Sequence, residues 1–307
     1  MKPWLELSLG LPISAAAYTL ITKEGVSLYD PIGYASYGLL GASILISGYA
    51  SLQGSLGTPH WQSVLAGLAL GGAAVAEAIS IDRAPNAGLA SAIFRSQSGL
   101  TVLAAVALLH GELDMVALLA VIVTLAGVYL ASTGRQTSDR RAAEQHRQVM
   151  EKSSTEGVDP SKGWVRYAFI AAGLMTVKDL LTVLSVRAGT QPEASVAVEL
   201  VIATIVAFAY KRIKTGTWDL VPIKQTHPAP WWVLPAGGVI MGVWPLLLVT
   251  AMKEAPNSGY PKALSLSGIA ISALVSSYTY NEPLTDRAWG GIGLIILGTA
   301  GLMLRGR

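Results

Sequence analysis

Six ionisable side chains fall inside the long apolar stretches of this chain: Glu77, Arg95, Lys178, Asp179, Glu199 and Lys262. A charge within a bilayer is costly, so such residues face a bundle interior or a hydrated cavity and mark routes for solutes and ions. Three cations and three carboxylates balance. As internal ion pairs they would hold helices together. As the lining of a cavity they would bind both ends of a zwitterion, or an anion with carboxylates relaying protons. In that second use Arg95 and Lys178 hold a carboxylate or phosphate, while Asp179, Glu199 or Glu77 holds an amine or takes up a proton. Neighbours on a helix point about 100° apart, so Lys178 and Asp179 cannot both face one spot, and one turns to another helix.

Smaller groups gather around these charges. Ser91 and Ser98 lie one turn either side of Arg95, and Ser265 lies close to Lys262. Such hydroxyls serve helix packing as readily as ligand binding. Trp244-Pro245 falls mid-segment, where proline frees a backbone carbonyl and permits a kink. Trp244 is expected in the cavity wall, and Tyr37, with Tyr34 before it, is a further candidate. The expected substrate-binding set is therefore Arg95, Lys178, Lys262, Trp244, Ser91 and Tyr37. The expected proton-coupling or substrate-binding set is Asp179, Glu199 and Glu77. Asn86 and Asn257 read chiefly as helix caps. The pairs Gly71-Gly72 and Gly237-Gly238 read as close-packing surfaces.

The elements that must position these residues are long hydrophobic helices. Apolar residues make up 52% of the chain and charged residues 13%, about half the charge of an average soluble domain. A helix needs about 20 apolar residues to cross the hydrocarbon layer. Ten segments meet that standard, approximately 4–22, 31–52, 61–82, 86–109 and 115–133, then 164–188, 192–212, 231–252, 257–280 and 287–305. Pro and Gly punctuate them, as at Asp30-Pro31 and Gln191-Pro192. Trp4, Trp61, Trp164, Trp231, Trp232 and Trp289 fall near segment ends, the position of an interfacial aromatic belt.

One phrase occurs twice. Arg83-Ala84-Pro85-Asn86-Ala87-Gly88 and Glu254-Ala255-Pro256-Asn257-Ser258-Gly259 are separated by about 171 positions, and each opens an apolar segment that ends at a Glu, Glu112 and Glu282. The expected organisation is a first five-helix repeat over 1–133, a polar linker over 134–163 and a second five-helix repeat over 164–307. An odd number of spans per half inserts the halves with opposite orientation, and such inverted repeats support alternating access by rocking around a midplane site. In that alignment Lys262 falls opposite Ser91 and Arg95 opposite Leu266, so the cations are not duplicated.

Other functions find no footing. The chain has no cysteine, and His60, His110, His146 and His227 are scattered without metal-ligand spacing. It carries no phosphate-cradling glycine loop, nucleophile elbow or zinc helix. An enzyme, a metal, a cofactor and a nucleic-acid partner are therefore not expected; the partners expected are the lipid bilayer, a small-molecule substrate and protons. The protein is expected to act as a monomer or homodimer.

The segments ending Gly111-Glu112-Leu113 and Asn281-Glu282-Pro283-Leu284, each followed by a glycine-containing apolar helix, resemble the drug/metabolite transporter superfamily, specifically its EamA-like ten-helix members. The resemblance implies a secondary transporter of a small polar metabolite in a bacterial-type inner membrane, with an amino acid as one example. A carrier or flippase for lipid-linked cargo and an antiporter of phosphorylated or nucleotide sugars are the alternatives. Branches handling nucleotide groups show Gly-Ala-Leu-Asn-Lys where this chain has Gly259-Tyr260-Pro261-Lys262, a departure that weighs against a nucleotide sugar. The resemblance also implies cytoplasmic termini. The distribution of Lys and Arg, dense over 134–166, instead places the linker in the cytoplasm and both termini outside, so orientation stays open.

Overall fold

The computed structural model describes residues 3–58, 60–83, 93–95, 97–110, 113–133, 163–220, 230, 232–279 and 284–306. The regular elements are helices: α1 (Pro3–Ser8), α2 (Leu11–Leu28), α3 (Pro31–Leu52), α4 (Trp61–Arg83), α5 (Gln97–Leu109) and α6 (Met115–Thr133) in the first half of the chain. The second half contributes α7 (Trp164–Arg187), α8 (Pro192–Thr215), α9 (Val233–Glu254), α10 (Gly259–Ser265), α11 (Ser267–Thr279) and α12 (Asp286–Gly306). Among the described residues seven helices are long and apolar enough to cross a membrane, and Ile93–Leu109 and Met115–Ala131 are shorter apolar helices. This is an all-helical integral membrane protein.

Local chemistry sets the helix ends. Pro31 and Pro192 open α3 and α8, where a missing N–H costs nothing. Asp30 caps α3 by accepting from Gly33 N at 2.6 Å. Gly216 closes α8 with a left-handed backbone (φ 70°), its N–H bonded to Arg212 O.

Two of the expected single segments are broken. Segment 4–22 divides into α1 and α2 at Leu9-Gly10, just before Pro12. Segment 257–280 divides into α10 and α11 at Leu266. There Ser265 Oγ bonds Lys262 O and Ser267 Oγ bonds Leu264 O. Hydroxyls that take up backbone carbonyls compete with the helix ladder, which hydropathy alone does not register.

Many large side chains face outward, and alanine is the commonest buried apolar residue. Phe169, Ile205, Ile296 and Leu297 are exposed. Lipid tails are as apolar as leucine, so helix association relies on close backbone approach. Trp4 corrects the expected aromatic belt, because it is only 2% exposed and packs on Tyr260. Trp61, Trp232 and Trp289 are exposed; Trp231 lies outside the described residues.

The halves interleave. Helix α4 packs on α7 and α8, α3 on α8 and α9, α2 on α9 and α11, α5 on α7 and α10, and α6 on α12. Glycines allow the tightest crossings. A Cβ on Gly67 would lie 2.8 Å from Glu199 O, and one on Gly71 would lie 3.0 Å from Ala203 O. On the α3–α9 crossing, a Cβ on Gly238 would lie 3.0 Å from Gly41 Cα, and one on Gly41 would lie 3.2 Å from Gly238 Cα. Between α6 and α12 a Cβ on Gly127 would lie 2.6 Å from Ile295 N and 2.7 Å from Gly291 O. These neighbours are backbone and cannot rotate away. Gly127→Val is therefore expected to lower stability by about 1–3 kcal/mol, the usual cost of overpacking, read as an earlier loss of helical circular dichroism in a detergent-denaturant titration.

Side-chain contacts define two ends of the bundle. Lys211 Nζ lies 3.1 Å from Asp30 Oδ2, joining the end of α8 to the start of α3. Ser63, at the start of α4, contacts Ser185 near the end of α7 and Ser195 near the start of α8. Along α8, Ser195 and Lys211 are roughly 24 Å apart at the helical rise. These two levels are the Asp30 end and the Thr190 end of the bundle.

Candidate functional site

A cavity lies among α2, α3, α4, α9, α10 and residues Phe94, Arg95, Gln97 and Ser98, with Met175 of α7 and Leu200 of α8 also in its lining. It runs from Val26 and Pro31 near the Asp30 end to Lys262 and Ser265 beside the α10–α11 break. It offers about 120 Å³ to the centres of water molecules. One water needs roughly 10–15 Å³ by that measure, so on the order of ten waters fit, the space of a small metabolite. Toward the Thr190 end Leu11, Leu109, Leu180, Val183, Leu248 and Met252 pack into an apolar plug.

Three of the six ionisable residues line this cavity: Glu77 from α4, Arg95 before α5, and Lys262 from α10. Arg95 donates from Nη2 to Thr19 Oγ1 at 2.9 Å. Lys262 lies over the Trp244 ring, 5.1 Å from its centroid, and Trp244 stacks on Tyr18 at 5.6 Å. Tyr18, Tyr34, Phe94 and Trp244 form aromatic walls, and Leu39, Leu70, Met175, Leu200 and Met241 complete an apolar lining. Gln97 Oε1, Ser98 Oγ and Trp244 Nε1 are buried and have no hydrogen-bond partner among the described residues. Two acceptors or donors and an indole N–H left unpaired in one wall are costly unless a guest or water satisfies them.

The other three ionisable residues lie outside the lining. Lys178 Nζ is 3.3 Å from Glu199 Oε2 and 3.6 Å from Asp179 Oδ1, and Asp179 Oδ2 is 3.1 Å from Lys262 Nζ. Glu199, Lys178, Asp179 and Lys262 thus alternate in sign along a buried row whose last member enters the cavity. The Lys262–Asp179 contact and the Glu199 Oε2 contact are close charge pairs without hydrogen-bond alignment. Adjacent on α7, Lys178 and Asp179 leave the helix about 100° apart, yet their charged ends lie within 3.6 Å: Lys178 also reaches Glu199 of α8, and Asp179 also reaches Lys262 of α10.

Of the expected substrate-binding set, the structure brings Arg95, Lys262 and Trp244 together at the cavity, with Glu77 from the proton-coupling set. Lys178 is held between two carboxylates and is not in the lining. Tyr37 is also elsewhere: its hydroxyl donates to Trp218 O at 3.0 Å and its ring meets Phe208 edge-on. One turn earlier on α3, Tyr34 faces the cavity instead. Ser91 and Asn86 lie outside the described residues. Asn257 Oδ1 accepts from Gly259 N at 2.8 Å, a local cap, and its Nδ2 donates to Val102 O. Sequence reading missed Tyr18, Phe94 and Gln97. A single aromatic or amide in an apolar helix carries no periodic signal; only its neighbours in space distinguish it.

Among the described residues no group of three or more His, Cys, Asp or Glu side chains could hold a metal ion. No family model and no curated protein matches the chain. In fold it is similar to a protein solved by crystallography, with a TM-score of 0.77 over 98% of this chain and 96% of that one. The two sequences are 15% identical, so the likeness is one of fold alone.

Proposed function

We propose that this protein is a secondary transporter of the EamA-like drug/metabolite type, moving a small solute that carries a carboxylate or phosphate. The observation that carries the proposal is the convergence of Arg95, Lys262 and Glu77 on one cavity walled by aromatic rings. An arginine fork and an ammonium suit an oxyanion. Glu77 suits the amine of a zwitterion. Gln97, Ser98 and the Trp244 N–H supply neutral hydrogen bonds that fix orientation. The mainly apolar wall accommodates a hydrophobic side chain on the same solute.

Ten spans in two inverted repeats fit the helix pairings. Counting α1 with α2 and α10 with α11 as single crossings, exchange of the two halves maps each principal contact onto another: α4–α7 onto α2–α9, α4–α8 onto α3–α9, and α5–α7 onto α2–α11. The pairs α3–α8, α5–α10 and α6–α12 map onto themselves. Gly67 and Gly71 correspond to Gly238 and Gly242 at the same offset of about 171 positions as the duplicated phrase. Because the halves interleave, the moving boundary is the set of glycine-smoothed crossings that flank the cavity, a shear motion, rather than a hinge at the linker. Alternating access then requires the apolar plug at the Thr190 end to part as the Asp30 end closes. The charge count assigns the Asp30 end to the cytoplasm.

Proteoliposome counterflow with radiolabelled amino acids and with phosphorylated sugars tests this reading. Counterflow of either class is expected. Absence of both, with scrambling of labelled lipids, would establish a lipid carrier instead. Glu77→Gln separates the two solute classes. It is expected to reduce amino-acid counterflow about tenfold or more, the loss of one charge-assisted hydrogen bond, while sparing phosphorylated sugars. Equal effects on both would remove Glu77 from the role of amine partner.

A further inference from the structure

A row of hydroxyls crosses the layer between the cavity floor and the Thr190 end. Thr190 sits in the turn between α7 and α8, and the neighbouring Arg187, Ala188, Gly189 and Gln191 are exposed. Ser185 Oγ donates to Thr190 Oγ1 at 3.0 Å, and Ser63 Oγ lies 2.7 Å from Ser185 Oγ and 2.9 Å from Ser195 Oγ, where either partner can donate. Ser195 Oγ donates to Glu199 Oε1 at 3.0 Å. All five side chains are buried. A helix hydroxyl that serves only packing commonly bonds its own helix carbonyl, as Thr204 does to Leu200 O, and Ser63, Ser185 and Ser195 each bond other hydroxyls. These four bond one another across three helices and stop at a carboxylate.

We propose that this row is a proton relay connecting the Thr190 end of the protein to Glu199. A hydroxyl both accepts and donates, and its hydrogen rotates to suit its neighbours. For inward transfer the Thr190 and Ser185 hydroxyls first turn, so that Thr190 donates to Ser185 and Ser185 to Ser63 in place of the Ser185-to-Thr190 bond. A proton arriving on Thr190 is then passed by each oxygen giving up its own hydrogen to the next. Glu199 changes from carboxylate to carboxylic acid, and the hydroxyls turn back to reset the row. The charged groups around Glu199 are Lys178 and Asp179 of α7, with Lys262 of α10 one step further and Glu77 and Arg95 across the cavity. Among the described residues the facing parts of α3 and α4 bring no charge: the α4 neighbours are Gly67 and Ser63, and Asp30 at the start of α3 pairs with Lys211 at the far end of α8. The row of Glu199, Lys178, Asp179 and Lys262 is neutral when all four are ionised. Protonation of Glu199 leaves it with one positive charge in excess. Lys178 then draws Asp179 away from Lys262, and Lys262 becomes available to an anionic group in the cavity. Proton uptake from one end thus raises the affinity of the site for an anion.

The coupling role rests on the transporter reading, but the test does not use transport, so the two fail separately. Reconstituted protein is subjected to a pH jump and followed by time-resolved infrared difference spectroscopy at the carboxylic C=O stretch, with the bilayer as the only other component. The wild type is expected to show a band that Glu199→Gln removes. Ser63→Ala, and independently Ser185→Ala and Thr190→Val should Ser63→Ala fail to fold, are expected to slow its appearance about tenfold or more, as loss of one hydrogen-bonded transfer step implies, with the midpoint pH unchanged. Thr182→Val is the control. Thr182 Oγ1 also bonds Glu199 Oε1, at 2.8 Å, but lies off the row, so this variant shifts the midpoint and leaves the rate. Wild-type rates in the serine and Thr190 variants, or a wild-type spectrum with no band from Glu199, would overturn the relay.

Discussion

Arg95→Ala is expected to abolish solute counterflow while the protein still accumulates and folds. Arg95 is the cavity residue best shaped to grip an oxyanion, because its planar guanidinium can present two parallel N–H donors. Its contact with Thr19 Oγ1 holds the side chain at the cavity edge of α2. A hydrogen bond to a charged group contributes about 1.5–3 kcal/mol, so losing a bidentate pair costs about a hundredfold or more in affinity. Arg95→Lys retains the charge but not the fork, and an intermediate loss is expected. Initial counterflow rates in proteoliposomes provide the measurement, with gel filtration reporting on folding. Undiminished counterflow in Arg95→Ala would remove this residue from the solute site.

The second large effect is on stability. Asp179 lies between two buried lysines, 3.6 Å from Lys178 Nζ and 3.1 Å from Lys262 Nζ. Asp179→Leu strands a buried cation, and breaking a buried pair from one side costs about 3–5 kcal/mol. Adding Lys262→Met removes the stranded charge and leaves Lys178 with Glu199. The double variant is expected to regain most of the lost stability, since apolar replacements of a whole buried pair are often neutral or better. It is also expected to remain inactive, because Lys262 is a cavity cation. Detergent-denaturant unfolding of the single and double variants measures the coupling between the two sites. A double variant as unstable as Asp179→Leu alone would show that the row does not act as a charge-balanced unit.

These two experiments divide one set of six residues into two uses. As read from the sequence, ion pairing and solute binding competed for all six. In the folded protein the six divide. Glu199, Lys178 and Asp179 pair among themselves, Arg95 and Glu77 face the cavity, and Lys262 belongs to both groups. A buried charge row that ends at a binding site can convert a change at its far member into a change of affinity.

The membrane-type helical class, the helix starts at Pro31 and Pro192 and the six costly charges were legible in the amino-acid sequence alone. Each of these follows from composition, period or a local backbone constraint, which act within a few residues. Also legible was the phrase that occurs twice, at 83–88 and 254–259, each time at the start of an apolar segment. Tertiary structure alone decided which charges meet. Whether Lys178 faces a guest or Glu199 depends on where α8 lies against α7, a relation between residues on separate helices that no local pattern encodes. The same holds for Tyr34 and Tyr37, which share one helix and one chemistry but are turned to a cavity and to Trp218. It holds too for Ser63, Ser185 and Ser195, unremarkable singly, which become a continuous row only when three helix ends are brought to one level.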